Sequence, residues 1–477
     1  MTTSALLNLF ETYLLLGAII AVAACTGVVL IYFTIYKWKI KGEKKLSLWK
    51  LTLWAAFICY IVIIAGAVNL SRFSGLYSWT DLHPFSSYRE AYFRFSATEW
   101  RDIILNIIMF MPLGFMLPLL SEKWRRLLRV FAVAAAGTLL IEYLQYAWEL
   151  GVFQLDDMIN NTLGAVIGYG MVMACLTFQG RTRGEAGRRN GLRALGYLTP
   201  LFVTVIVFVS IFTVYHMQEF GNLPYANYYF RVNMKDVVLS NSADLSPREA
   251  EAPVYSAKVI GREAADAFAR EFFAAAPGVS GNAHSADLME ADPDSEGVNY
   301  QMSGGGAVLR VDFRGQTWEY LDLSKRGHQE EFGADEWEIR VLLLGFGLEI
   351  PENAKFSANK GEGYKFTANM LDDGSGKVVN GTVVCEFFDD GELKSVRNNM
   401  IEYEAVRYIS LKGVDEAYTE IESGRFNCMK RVPPQRVDVE SVRLDHSADT
   451  KGFLQPVYRF KAYIDGESRY IWIRAAA

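Results

Sequence analysis

Amide and carboxylate side chains interrupt three strongly apolar stretches within the first 216 residues of the sequence. They are, in chain order, Asn106, Glu142, Gln145, Asp156, Asp157 and Asn161. An ionisable group is expensive inside a bilayer, so it usually faces a cavity or a partner. Glu142 and Asp157 are therefore candidates for hydrogen bonding to a polar ligand, for acid/base chemistry or for binding a metal ion.

The same residue types are also suited to holding a helix bundle together. Asp157, Asn161, Gly164 and Gly168 recur at helical spacing and form one stripe, whose glycines would let a neighbouring helix approach closely. Asp156 and Asp157 would cap the N-terminus of their own helix, where negative charge is favourable. Both interpretations, scaffold and functional site, stay open.

The elements that carry these residues are expected to be membrane helices. A helix needs roughly 20 apolar residues to cross the hydrocarbon core. Six stretches meet or approach that length, namely 12–36, 50–70, 103–120, 128–148, 157–178 and 195–215. The polar residues then belong to the third, fourth and fifth spans and lie near one end of the bundle.

Basic residues indicate how the helices thread the bilayer. They cluster after the first, third and fifth spans, at Lys37, Lys39, Lys41, Lys44 and Lys45, at Lys123, Arg125, Arg126 and Arg129, and at Arg181, Arg183, Arg188, Arg189 and Arg193. Short loops rich in such residues face the cytoplasm. We therefore predict a multi-pass cell-membrane protein in which loops 71–102 and 149–156, and everything after His216, are extracytoplasmic. The polar cluster would lie near the outer face.

Charge divides the chain into two parts. Residues 1–216 carry a net charge of +7, and residues 217–477 carry −13. The long apolar runs also end at this boundary, so we predict a polytopic membrane domain over 1–216 and a soluble extracytoplasmic domain over 217–477. The lipid bilayer is the expected partner of the first, and the acidity of the second argues against nucleic acid as a partner.

Helical and strand patterns alternate in the second part. Helical apolar spacing covers 263–276, 336–348 and 413–422. Strand patterns cover 297–323 (two strands around the turn Gly304-Gly305-Gly306), 364–403, 437–445, 454–464 and 470–474. The predicted fold class is a membrane all-α bundle of about six helices followed by an α+β domain of repeated helix-plus-β-meander modules.

Cofactor chemistry is not indicated in the second part. It has no metal-binding His/Cys spacing, nucleophile elbow or phosphate loop. His284, His328 and His446 are isolated in polar contexts and are expected at the surface. Cys385 and Cys428 leave one disulfide open, because sequence alone does not fix its geometry. We expect no cofactor and no bound metal.

Four elements of the first part resemble the VanZ family in order and spacing. They are Asp81-Leu82-His83-Pro84-Phe85, Asn106-Ile-Ile-Met-Phe110-Met-Pro112-Leu-Gly114-Phe, Glu142-Tyr-Leu-Gln145 and Asp156-Asp157-Met-Ile-Asn160-Asn161-Thr162-Leu-Gly164-Ala-Val-Ile-Gly168-Tyr169. The resemblance covers about residues 50–178. Asp81 and His83 replace the family's Asn and Ile, so His83 joins the candidate site as a residue that could alter ligand preference.

The resemblance implies a protein of the bacterial cell envelope associated with glycopeptide resistance, teicoplanin in particular, without an agreed mechanism. The last stretch, Ala417 to Ala475, is similar to the end of the YycH/YycI regulatory proteins. That similarity implies an extracytoplasmic regulator that docks a cell-wall sensor kinase.

Three functions follow from these observations. The first is binding of a lipid-linked cell-wall precursor or a glycopeptide by the membrane cluster, and it is preferred because no nucleophile is evident. The second is a regulator whose outer domain binds a membrane sensor protein. The third, a membrane enzyme using Glu142 and Asp157, ranks last because no histidine accompanies the pair within the spans.

Overall fold

The computed structural model describes residues 3–39, 47–66, 80–179, 185–246, 250–275, 286–289, 297–302, 306–312, 317–323, 333–359, 363–372, 377–388, 391–428 and 433–477. The chain forms two compact units. The first is Met1–Glu219 with Tyr228–Phe230, and the second is Phe220–Asn227 with Arg231–Ala477. Several residues singled out in the sequence lie outside the described ranges, namely Lys41, Lys44, Lys45, Arg181, Arg183, His284, Gly304, Gly305 and His328.

Helices make up most of the first unit. They are α1 (Thr3–Ile31, continued by a π-helical segment Tyr32–Lys39), α2 (Leu48–Ala65), α3 (Ser86–Arg94), α4 (Ala97–Leu120), α5 (Leu127–Ala147), α6 (Leu155–Gln179) and α7 (Glu185–Met217). All except α3 contain a stretch long and apolar enough to cross a membrane. Large side chains such as Leu140 and Ile206 are exposed on them, as expected of surfaces that face lipid. The predicted six-helix membrane bundle is confirmed.

Helices α4 and α6 are in close backbone contact at the two glycines of the predicted stripe. A Cβ atom built on Gly164 would lie 1.9 Å from the carbonyl oxygen of Ile107, and one on Gly168 would lie 1.9 Å from that of Met111. Only glycine fits at these positions, because a side chain would overlap main-chain atoms. The contact fixes the depth of α6 against α4.

A short irregular segment joins the helices at one end of the bundle, which we call the α3 end. Strand β1 (Thr80–Asp81) pairs in parallel with β2 (Phe153–Gln154), which directly precedes α6. Helix α3 follows β1 and leads into α4. The sequence did not predict α3, whose composition is polar and whose length is below that of a membrane span.

Fourteen described strands form one sheet in the second unit. They are β3 (Val238–Asn241), β4 (Glu251–Ala257), β5 (Ala286–Met289), β6 (Gly297–Met302), β7 (Ala307–Asp312), β8 (Trp318–Asp322), β9 (Lys355–Asn359), β10 (Gly363–Asp372), β11 (Lys377–Phe387), β12 (Leu393–Asn398), β13 (Ile401–Ser410), β14 (Arg436–Ala448), β15 (Phe453–Ile464) and β16 (Glu467–Arg474). The helices are α8 (Gly261–Ala275), α9 (Glu336–Gly345) and α10 (Val414–Glu422).

Helix and meander alternate three times along this unit, which confirms the predicted α+β class. Helix α8 precedes β5–β8, α9 precedes β9–β13, and α10 precedes β14–β16. A capping box between Asp335 and Glu338 begins α9 where the pattern predicts it. The modules share the sheet, in which eleven strands follow the order β3-β14-β15-β4-β13-β11-β12-β8-β7-β6-β5. Off this path, β10 pairs with β11 and β9, and β16 pairs with β15. Between β15 and β4 the ladder has two residue pairs, Phe453 with Ser256 and Leu454 with Tyr255.

Two large hydrophobic cores lie on this sheet, and a small third cluster of Val378, Tyr403 and Leu454 lies beside the pairing of β15 with β4. One packs α8 and α9 on β6–β8 and β10–β12, and the other packs α10 on β14–β16. Cys385 is buried in the first and Cys428 in the second, and neither carries a disulfide. The disulfide left open by the sequence is therefore not formed.

Two local predictions in this unit were wrong. The described residues between 297 and 323 form three strands, β6, β7 and β8, and β7 pairs antiparallel with both of the others. Gly315, outside the described residues, was the turn signal in the sequence that the prediction overlooked. His446 is half-buried, with Nε2 2.8 Å from the carbonyl oxygen of Pro253, where the polar sequence context predicted a surface position.

Candidate functional site

Asp156 fixes the irregular segment at the α3 end. Its Oδ1 accepts a hydrogen bond from the Phe85 backbone N–H at 2.6 Å. Its Oδ2 accepts from the Ser87 N–H at 2.9 Å, from the Ser87 hydroxyl at 2.6 Å and from the Ser86 hydroxyl at 3.5 Å. The carboxylate is 1% exposed. Asp156 thus hydrogen-bonds the N-terminus of α3. Asp156 and Asp157 also lie in the first turn of α6, where the sequence predicted negative charge.

Asp81 supports the same segment from β1. Its Oδ1 accepts from the backbone N–H of His83 at 3.0 Å and lies 2.9 Å from His83 Nδ1, while its Oδ2 accepts from the Ser86 hydroxyl at 2.9 Å. The His83 ring is half-exposed and stacks on Phe230 with 4.3 Å between ring centroids. His83 therefore lies at the rim of the polar cluster.

Glu142 joins α5 to the strand that precedes α6. Its Oε2 accepts from the backbone N–H of Gln154 at 3.1 Å, and the side chain is 2% exposed. Gln145, one turn further along α5, is also buried. Both belong to the face of α5 turned toward α6, as their spacing predicts.

Hydrogen bonds also connect α6 with α4 and α5. Asn106 Nδ2 donates to Asp157 Oδ1 at 2.7 Å, and Asn161 Nδ2 donates to the Thr138 hydroxyl at 2.9 Å. Asn161 therefore faces α5, whereas Asp157 and Gly164 face α4. The predicted stripe is shared between two neighbours.

The buried and half-buried polar side chains of α4, α5 and α6 form what we call the layer: Asn106, Thr138, Glu142, Gln145, Asp156, Asp157, Asn160 and Asn161. Tyr88 of α3 contacts this layer from the segment that connects β1 with α4. Its hydroxyl donates to Asn160 Oδ1 at 2.5 Å. Burial, together with the negative charges of Asp156 and Asp157, raises the pKa of Tyr88 to about 12. The phenol is therefore protonated at physiological pH and acts as a donor.

Two buried amide atoms in this layer have no hydrogen-bond partner in the described part of the chain. They are Asn160 Nδ2 and Asn161 Oδ1. One end of each amide is unpaired whichever way the amide is oriented, because the Tyr88 and Thr138 hydroxyls can each donate or accept. Buried polar groups are normally satisfied. Asn160 and Asn161 thus each offer one unpaired hydrogen-bonding group.

One known protein family matches part of the chain. Residues 24–177 match the VanZ/LLP1 family model. The predicted VanZ-like region is confirmed. It contains every candidate residue described above, from Asp81 to Asn161.

Comparison with individual proteins adds little. No curated protein matches the chain. Among solved structures, the C-terminal domain of Bacillus megaterium YpeB matches with 13% sequence identity, covering 46% of this chain and 95% of that domain, at a TM-score of 0.21. A likeness at this TM-score carries no argument about fold or function, and the similarity to YycH/YycI stays a prediction.

Among the described residues, no group of three or more His, Cys, Asp or Glu side chains has the arrangement of a metal site. The three membrane carboxylates of the site instead receive backbone or amide N–H groups from the protein itself. Such contacts orient the carboxylates and set the shape of the layer.

Sequence reasoning missed several members of the site. Thr138 lies one turn before Glu142 on the same face of α5, so its helical spacing could have revealed it. Ser86 and Ser87 follow Pro84-Phe85 in the pattern of a helix start. Tyr88 gave no signal, because an aromatic residue in a connecting loop is ordinarily read as an interface anchor.

Proposed function

We propose that the VanZ/LLP1 region binds the polar group of a lipid-linked or wall-related molecule in the outer leaflet. The protein would then be a binding protein of the bacterial cell envelope that affects the response to glycopeptides such as teicoplanin. The unpaired ends of the buried Asn160 and Asn161 amides carry this proposal. A ligand with hydroxyl or amide groups, as sugars and peptides have, could satisfy both.

The arrangement of the charged groups supports binding over catalysis. Asp156, Asp157 and Glu142 accept hydrogen bonds from the protein, which holds them in fixed positions. A preorganised set of donors and acceptors favours recognition because little ordering is needed when the ligand binds. No serine, threonine or cysteine in the layer hydrogen-bonds a histidine among the described residues, the arrangement expected for an activated nucleophile.

The proposal places the α3 end and the second unit outside the cell. The Lys/Arg clusters after the first, third and fifth spans support this orientation. Membrane-impermeant thiol reagents applied to intact cells test it, with Cys residues introduced singly at exposed Glu149 and Glu122, which lie in loops at opposite ends of α5. We expect Glu149→Cys to react and Glu122→Cys to react only after lysis. The reverse pattern would overturn the orientation.

Charge-removing substitutions that keep the hydrogen bonds test the binding site itself. Glu142→Gln retains an oxygen for the Gln154 N–H, and Asp157→Asn retains one for Asn106. In a strain whose teicoplanin sensitivity changes on deletion of the gene, we expect either variant to give the sensitivity of the deletion at an unchanged protein level. Wild-type sensitivity in both variants would contradict the proposal.

Matched controls come from exposed carboxylates of the same unit. Asp102 on α4 and Glu122 after it have side chains 65% and 84% exposed. Asp102→Asn and Glu122→Gln should therefore leave teicoplanin sensitivity at the wild-type level.

A further inference from the structure

The segment between β1 and α3 presents large apolar side chains to the surroundings. We call Leu82–Phe85 the tip. Leu82 is 61% exposed and Phe85 is 55% exposed, and Pro84 between them is also exposed. Exposed apolar residues that stand together normally mark a contact with another molecule or with a membrane.

The tip is held in a strained conformation. Phe85 has φ 62° and ψ 22°, the left-handed region that a bulky side chain rarely adopts. Two buried or half-buried carboxylates maintain it, since Asp156 binds the Phe85 N–H and Asp81 binds the His83 N–H. Backbone strain of this kind persists where the surrounding structure imposes it, and it is frequent at functional sites.

The depth of the tip follows from its neighbours within the first unit. Its preceding strand β1 pairs with β2, which is continuous with the start of α6. Phe85 packs against Tyr88, and Tyr88 packs against Phe208. Phe208 lies nine residues before the end of α7, which is roughly 13 Å along a helix. The tip therefore packs, through Tyr88, against the part of α7 near the end of its apolar span, which reaches Met217.

Exposed aromatic residues on α5 also indicate where this end of the bundle meets the lipid headgroups. Tyr143, Tyr146 and Trp148 are exposed on and just after the last turns of α5, at the same end of the bundle. Tyrosine and tryptophan are enriched where membrane helices leave the hydrocarbon core.

We propose that the tip is an interfacial anchor that inserts Leu82 and Phe85 among the lipids of the leaflet at the α3 end. The occupant of this surface is the lipid bilayer. Asp81 and Asp156 hold the anchor in shape, and insertion keeps the polar layer of Asn160 and Asn161 at headgroup level. The inference depends on the membrane-spanning bundle and holds whether or not the layer binds a wall-related ligand.

Site-specific photocrosslinking of the full chain tests the anchor. A benzophenone amino acid replaces Leu82 or Phe85, and the purified protein is reconstituted into vesicles of phosphatidylethanolamine and phosphatidylglycerol. Phe85 is already aromatic, so its replacement is conservative, and Leu82 provides an independent position if the other variant fails to fold. After illumination, mass spectrometry measures the fraction of protein that carries a covalent lipid adduct.

Two reference positions calibrate the result. Leu140 on α5 is 57% exposed within a membrane span, and Trp337 on α9 is 70% exposed in the second unit. We expect adduct yields at the tip close to that at Leu140 and at least about tenfold above that at Trp337, the preference that burial of one large apolar side chain gives. Yields at Leu82 and Phe85 no higher than at Trp337, with a clear adduct at Leu140, would overturn the proposal.

Discussion

Two buried carboxylates of the first unit, those of Asp156 and Glu142, accept hydrogen bonds from backbone N–H groups. Asp156 receives two backbone N–H groups and two hydroxyls, and Glu142 receives the N–H of Gln154. An irregular chain segment next to a bilayer must satisfy its N–H groups internally, since lipid offers no acceptors. A carboxylate is well suited to this, because it accepts several hydrogen bonds and donates none.

Asp156→Asn should destabilise the protein although the change is nearly isosteric. The amide has one accepting oxygen, so at least one backbone N–H of Phe85 or Ser87 faces an NH₂ group. We expect a loss of about 1–3 kcal/mol in the free energy of unfolding, the cost of an unsatisfied buried donor. Thermal unfolding in detergent measures it, with Asp157→Asn as the smaller-effect control. Equal unfolding midpoints for wild type and Asp156→Asn would refute this account of Asp156.

Tyr88 gives the site a distinct pH dependence. Its pKa is raised from 10.0 to about 12 in the folded protein, so the neutral phenol is favoured by folding. The resulting stabilisation is complete below pH 10 and is lost as the pH rises toward 12. We expect the unfolding midpoint of the wild type to fall more steeply over pH 10–12 than that of Tyr88→Phe. Parallel profiles of the two proteins would count against a protonated, buried Tyr88.

At the scale of elements, the pairing of α4 with α6 determines the geometry of the site. Gly164 brings the two backbones together directly below Asn106 and Asp157, so the amide and the carboxylate meet at 2.7 Å. Small residues provide this approach in membranes, where apolar helix faces gain little by leaving lipid.

Gly164→Ala should therefore disrupt the bundle while a glycine control does not. The added methyl of Gly164→Ala would lie 1.9 Å from the Ile107 carbonyl oxygen, and overpacking costs at least about 1–3 kcal/mol. Gly137 on α5 has no atom within 4 Å of the place that an added methyl would occupy, so Gly137→Ala should be neutral or slightly stabilising. Thermal unfolding midpoints compare the two; a Gly164→Ala midpoint equal to that of Gly137→Ala would exclude the close contact.

The sequence predicted long, regular elements well and irregular ones poorly. Hydropathy and helical or strand periodicity located the six spans and the helices α8–α10, and the positions of Asn106, Glu142 and Asp157 near the same end of their spans predicted one polar cluster. Helix α3 was missed because the N–H groups at its start are capped by Asp156, which is distant in sequence. Its own N-cap residue, Phe85, provides no side-chain cap. Asp157 faces α4 and Asn161 faces α5. The choice between these neighbours depends on how the helices pack, which the periodicity of the sequence does not determine.

At the scale of the whole molecule, the two units differ in which side chains they bury and which they expose. Large apolar side chains are exposed on the membrane helices of the first unit, whereas most of the buried apolar residues of the second unit lie in two large cores. Several carboxylate and amide side chains of the first unit are buried between its helices. The change of sign in net charge near residue 216 marks this transition in the sequence.

Thiol chemistry offers a check on the second unit. Cys385 and Cys428 are buried in separate cores, and burial raises the pKa of Cys385 to about 12. We expect both to resist a maleimide reagent in the native protein and to react after denaturation without reductant. Mass spectrometry locates the adducts. Failure of both to react in the denatured, unreduced protein would indicate a disulfide and contradict the separation of the cores.

We predict that the fourteen-stranded sheet opens as two cooperative units at the two-pair ladder between β15 and β4, where the small cluster of Val378, Tyr403 and Leu454 joins the two sides. Each side has its own core, so opening of one need not open the other. Amide hydrogen exchange should then resolve two protection classes, one for β14–β16 and α10 and another for β6–β8 and β10–β12. The two parts of the sheet would then unfold independently, and denaturant would unfold them in two separate transitions.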